Sequence, residues 1–132
     1  MSNKLADIRT RLITAAVLGT KVQTYQPEAL RWIHLHVVTT ATAGNRQVVV
    51  TLYDTDGNAL WDLNAGATQG ASLTRHYSLI KGATREGSFT GTNEIVMPLG
   101  DLVLMPGQYL TVEDANAVDA ADTFEIAYQA DK

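Results

Sequence analysis

From residue 30 onward, apolar side chains recur at every second position in short runs broken by turn residues, a pattern that builds β-sheet and excludes amphipathic helix. In 31–40, Ile33, Leu35 and Val37 alternate with Trp32, His34, His36 and Val38. The run "QVVVTLY" (47–53) is β-branched and apolar on both faces, which predicts a central strand. "DTDGN" (54–58) reads as a hairpin turn, because Asp-Gly favours positive φ, and Leu60, Trp61 and Leu63 begin the return strand. In "ASLTRHYSL" (71–79), Leu73, Arg75, Tyr77 and Leu79 share one face, and Ser72, Thr74, His76 and Ser78 the other. "KGATREGSFTGT" (81–92) is expected as a long, exposed polar loop. Short strands follow at "EIVMPL" (94–99), "DLVLM" (101–105) and "YLTVED" (109–114), with a type II turn predicted at "MPGQ" (105–108). After the acidic loop "ANAVDAAD" (115–122), the last strand "TFEIAYQ" (123–129) turns Phe124, Ile126 and Tyr128 inward and Glu125 and Gln129 outward.

About eight such strands predict an all-β protein, an antiparallel two-sheet sandwich with jelly roll as the first topology and an Ig-like sandwich as the second. Ahead of them, Leu5, Ile8, Leu12 and Ala16 are spaced at three and four residues, the pattern of a short amphipathic helix over 3–18, capped by Ser2 or Asn3 and ended by Gly19. The same stretch also suits an extended arm. The expected organisation is therefore an N-terminal helix or arm (1–29) followed by a β-sandwich domain (30–132).

A chain of 132 residues with 45% hydrophobic content can bury one sizeable core. It has no cysteine, which removes thiolate metal sites, thiol nucleophiles and disulfides. No apolar run approaches the ~20 residues of a membrane span, and Asp7, Arg9 and Arg11 interrupt the start where a signal peptide would be apolar. The reading is a soluble protein, intracellular in the cell where it is made. Charge is unevenly spread: residues 1–46 carry six Lys/Arg against two acidic groups, and residues 47–132 carry four against twelve. This split is either a solvated surface or a basic segment that meets an acidic surface on a neighbour. Overall acidity argues against nucleic acid as a partner.

His34 and His36 project from one face of a strand, as a metal pair would. They share the His-x-His spacing of the cupins, jelly-roll metal enzymes. The Glu of that motif is missing, because Thr40 and Ala41 stand at its place. His76 is the only further imidazole and falls on a polar, solvated face. "DTDGN" begins like a calcium loop but lacks the later oxygen ligands. Glu113, Asp114, Asp119 and Asp122 could hold a divalent cation, or form a solvated loop. "EGSFTG" (86–91) is not a nucleophile elbow. Trp61 and Tyr53, flanking one hairpin, are the best pair for a sugar-stacking platform among Trp32, Trp61, Tyr53, Tyr77 and Tyr109. No catalytic residue, metal site or cofactor is assigned, and the expectation is a non-enzymatic protein.

The stretches "TATAGNRQVVVTLYDTDGNALWDL" (39–63), "ASLTRHYSL" (71–79) and "VLMPGQYLTVEDANAVDAADTFEIAY" (103–128) resemble small β-sandwich accessory proteins encoded among the head genes of tailed bacteriophages. The "AGNR" loop, the D-G-N hairpin and the "PGQYL" turn carry the likeness. Members of that group act as capsid cement or decoration proteins. The resemblance implies a virion structural protein on the capsid exterior, with the major capsid protein and further copies of itself, as homodimer or homotrimer, as partners. It implies neither a nucleic-acid nor a membrane partner. The residues themselves nominate the interface: Leu5, Ile8, Arg9, Arg11 and Leu12 on the N-terminal segment, and Trp32, His34 and His36 on the first sandwich strand. The alternatives are a carbohydrate-binding module, another head–tail or tail structural protein, and a cupin-like metal enzyme.

Overall fold

The computed structural model describes residues 8–23, 27–91 and 93–131, with the backbone alone for 8–14 and 28. Its described residues form ten strands and no helix: β1 (Ile8–Val17), β2 (Val22–Gln23), β3 (Glu28–Val38), β4 (Val48–Tyr53), β5 (Ala59–Asn64), β6 (Thr74–Lys81), β7 (Glu94–Leu99), β8 (Val103–Leu104), β9 (Tyr109–Asp114) and β10 (Thr123–Asp131). Two sheets result. The larger runs β1-β10-β3-β6-β7, with β8 also on β3, and the smaller runs β2-β9-β4-β5.

Four antiparallel pairs are nested in the chain: β4 with β5, β3 with β6, β2 with β9, and β1 with β10. The chain is thus one long hairpin, with its tip at the β4–β5 turn, rolled so that alternate pairs fall in alternate sheets. That is the jelly roll. The Ig-like order, which seats the first strand beside the second, is not formed.

Asp54 fixes the tip. Its Oδ1 accepts the backbone N–H groups of Asp56 at 2.9 Å and Asn58 at 2.8 Å, and Gly57 takes a φ of +85° that other residues rarely adopt. These hydrogen bonds, that of Asn58 foremost, hold the Asp54 carboxyl below its ordinary pKa.

Three expectations are corrected. The helix over 3–18 is not formed in its described part, because Ile8–Val17 is a strand. Five of its ten residues (Ile8, Thr10, Ile13, Thr14 and Val17) are β-branched, and β10 offers a backbone edge that only a strand can satisfy. A bulge between Ile13 and Ala16, with Ala15 at φ +33°, bends this edge strand. Secondly, β7 runs parallel to β6, not antiparallel. The polar loop between them is long enough for the crossover that parallel strands need. That loop is exposed at most of its described positions, as expected, and is anchored at two of the others. Glu86 exchanges hydrogen bonds with the backbone of Val96 at 3.0 and 2.7 Å, and Phe89 packs edge-on against Tyr77 with the Arg75 guanidinium 4.9 Å from its ring centroid. Thirdly, the strand expected over 101–105 shrinks to Val103–Leu104.

The core is built of apolar side chains, with a few buried polar groups beside it. Ile33, Leu35 and Val37 of β3 face Val48, Val50 and Leu52 of β4 and Leu110 and Val112 of β9, all nearly or fully buried, with Phe124, Ile126 and Tyr128 of β10 beside them. Each fully buried side chain of this kind contributes about 1.5–3 kcal/mol. A void of about 10 Å³ among Val48, Val50, Leu63, Ala65, Tyr77, Leu79 and Met97 is at the lower limit of what one water needs.

Candidate functional site: the outer face of the larger sheet

Because side chains alternate across a strand, burying Ile33, Leu35 and Val37 turns Trp32, His34, His36 and Val38 to the outside of the larger sheet. Pairing in register then lays out two-dimensional rows. Glu125 of β10, His36 of β3, His76 of β6 and Glu94 of β7 stand side by side in one row: carboxylate, imidazole, imidazole, carboxylate. The next holds Leu12, Ala127, His34, Ser78 and Val96, and the third Thr10, Gln129, Trp32, Ile80 and Pro98.

Hydrogen bonds fix the rings. His36 Nε2 lies 2.7 Å from Glu125 Oε2. His34 Nδ1 is 3.1 Å from Ser78 Oγ, and Trp32 Nε1–H donates to Gln129 Oε1 at 3.2 Å. His76 joins the other two imidazoles, its ring centroid 5.6 Å from that of His34, nearly parallel, and 5.4 Å from that of His36, edge-on. Burial holds the pKa of His34 below 6.5, helped by His76 and His36 and opposed by Glu94. Val38 and Ile80, at 40% and 43% exposure, give the face apolar flanks.

The predicted interface set is split by the fold. Leu5 lies outside the described residues. Leu12 occupies the register row of His34, whereas Arg9 and Arg11 fall in register with the core residues Ala130 and Tyr128, and Ile8 with Asp131. The side chains of Ile8, Arg9, Arg11 and Leu12 lie outside the described parts. His34 and His36 point away from the space between the sheets, so an ion held there is out of their reach. Among the described residues, no three His, Asp or Glu side chains are placed to hold a metal ion.

Trp61 and Tyr53 do not form a platform. Trp61 pairs with the buried Leu52 and packs on the core, while Tyr53 lies on the outer face of the smaller sheet, stacked on Tyr109 at 5.1 Å. The register separates them, because Trp61 stands opposite Leu52, whose side chain points to the other face from that of the adjacent Tyr53.

The acidic loop is largely spent on internal contacts. Asp114 accepts the backbone N–H groups of Gln47, Asn116 and Val118, and Asp119 Oδ2 accepts the hydroxyls of Thr40 and Thr42. Asp122 and Arg46 form a buried pair, so one of the six cations of the basic N-terminal third is neutralised within the chain. What remains is an open groove of about 540 Å³ on the smaller sheet, where Asp62 and Glu113 face Leu18, Val49 and Ala117.

No protein-family model matches the chain, and no curated protein matches it. Among solved structures, a chain of the infectious bursal disease virus Gx strain aligns with 92% of this chain at 11% identity and a TM-score of 0.35. The VP2 subviral particle of infectious bursal disease virus aligns with 95% at 9% identity and a TM-score of 0.28. This chain spans about a third of the length of the first and 28% of the second. Likeness at this level carries no argument about family or function.

Proposed function

We propose that this protein is a non-enzymatic virion structural protein that binds the outside of a capsid shell as a cement or decoration protein. The observation that carries this reading is the distribution of its polar groups. The space between the sheets is filled with packed apolar side chains, while aromatic, imidazole and amide groups are concentrated on the outer face of the larger sheet. An outer sheet face with a half-buried Trp and apolar flanks suits protein contact better than chemistry. The likeness of 39–63, 71–79 and 103–128 to phage head accessory proteins selects the capsid among protein partners. The partner is then the major capsid protein, and the edge strand β1 is available for self-association into a dimer or trimer.

Co-sedimentation with shells assembled from the major capsid protein tests this. The wild-type protein should pellet with the shells, and Trp32→Ala, checked for an unchanged β circular dichroism spectrum, should bind at least about tenfold more weakly, as loss of a central aromatic anchor does. Absence of wild-type binding would end the proposal.

A further inference from the structure

Three imidazoles within ring-contact distance, on neighbouring strands, are unusual in a chain with only three histidines, since every histidine in the sequence is in the cluster. We propose that His34, His36 and His76 form an acid switch, in which proton uptake places like charges side by side across β3 and β6 and loosens the outer face of the larger sheet.

The geometry gives the reason. The groups facing the cluster are Glu125 from β10, Glu94 from β7 and the hydroxyl of Ser78 from β6. The β1 register positions in the two neighbouring rows are Leu12 and Thr10, neither ionisable. Two carboxylates therefore serve three imidazoles. Glu125 is bonded to His36, and Glu94 stands beside His76 in register. His34 has a hydroxyl and no carboxylate of its own, and its nearest ring, His76, is nearly parallel to it at 5.6 Å. A proton on His34 meets a like charge on His76 in a half-buried setting, where such repulsion is less screened than in water.

The sign follows. A histidine with a folded-state pKa below its unfolded value binds protons more readily when unfolded, so its contribution to stability is present above about 6.5 and is lost as pH falls below that value. Per such group, the folded-to-unfolded ratio falls by up to about tenfold for each pH unit. This inference concerns the protein alone. Its consequence, release of a bound shell in acid, rests on the function proposed above.

The test is an NMR titration of the three histidine ring protons, with thermal denaturation across pH 7.5 to 5, on the wild type, His76→Gln and His34→Gln. Removing His76 should raise the His34 midpoint toward 6.5 and flatten the loss of stability on acidification. His34→Gln should flatten it as well. The wild-type spectra need no variant: they should show His34 titrating below 6.5. An unmoved His34 midpoint in His76→Gln, or a stability profile the same in all three proteins, would overturn the switch. A shell-binding assay at pH 7.5 and 5 separates the two proposals, since failure to bind at either pH rejects the capsid role and leaves the switch standing.

Discussion

Arg46 Nε lies 2.9 Å from Asp122 Oδ2, and both side chains are fully buried. Every guanidinium donor of Arg46 is used: Nε and one NH2 proton on Asp122, the NH1 pair on the carbonyls of Thr42 and Gly44, and the remaining proton on Thr40 Oγ1. This one side chain ties the loop at 40–46 to the acidic loop before β10. Asp122 raises the Arg46 pKa further by accepting its hydrogen bonds, so the cation is permanent.

Breaking this pair on one side should be worse than removing it whole. Asp122→Ala leaves a buried guanidinium without its counter-charge, whereas Arg46→Met with Asp122→Leu removes both charges. Urea denaturation should give the single variant the lower midpoint, even though the double variant carries more substitutions.

Asp119 should govern the far-acid limb. The hydroxyls of Thr40 and Thr42 hold its pKa down from 3.8 to about 2. A depressed carboxyl contributes stability that is full above 3.8 and is lost as pH falls toward 2. Denaturation curves of Asp119→Asn should therefore be flatter than wild type between pH 4 and 2, a window below the one in which the histidines act.

Little of this network is legible in the sequence. Alternation marked Ile33, Leu35, Val37, Phe124, Ile126 and Tyr128 as core, and all are buried. Asp54 to Asn58 declared the hairpin, because a tight turn is chemistry among adjacent residues. The row Glu125–His36–His76–Glu94 gave no such signal. Its members are separated by as many as 89 positions, and only strand order and register bring them together. Each was readable as an outward polar residue of its own strand, but none as a neighbour of the others. For β1 the sequence leaves helix and extended arm both open, because Leu5, Ile8, Leu12 and Ala16 fit helical spacing while the partner that makes Ile8–Val17 a strand lies at the other end of the chain. The pairing of Arg46 with Asp122, 76 positions apart, is illegible for the same reason.

Glycine 66 should be intolerant of a side chain. A Cβ there would stand 2.1 Å from the backbone oxygen of Glu86, so the loop that covers β7 would have to move. Gly66→Ala should cost about 1–3 kcal/mol in chemical denaturation and shift the amide resonances of 83–90. Gly87→Ala, which meets nothing within 4 Å, should be near neutral.

Tyr77 donates its hydroxyl to Gln69 Oε1 at 2.7 Å, and Gln69 Nε2 donates in turn to the carbonyls of Val37 and Leu73. Burial raises the Tyr77 pKa well above its ordinary value, so the phenol remains a donor at any working pH. Tyr77→Phe strands a buried amide oxygen and should destabilise the fold by about 1–3 kcal/mol, measured from the urea midpoint at constant m.

The most direct measurement is an image reconstruction of capsid shells incubated with this protein at neutral pH. The account predicts added density on the shell exterior into which the jelly roll fits with Trp32, His34 and His36 turned toward the lattice. Shells without added density, or a jelly roll seated by its smaller sheet with the histidine face open to solvent, would contradict it.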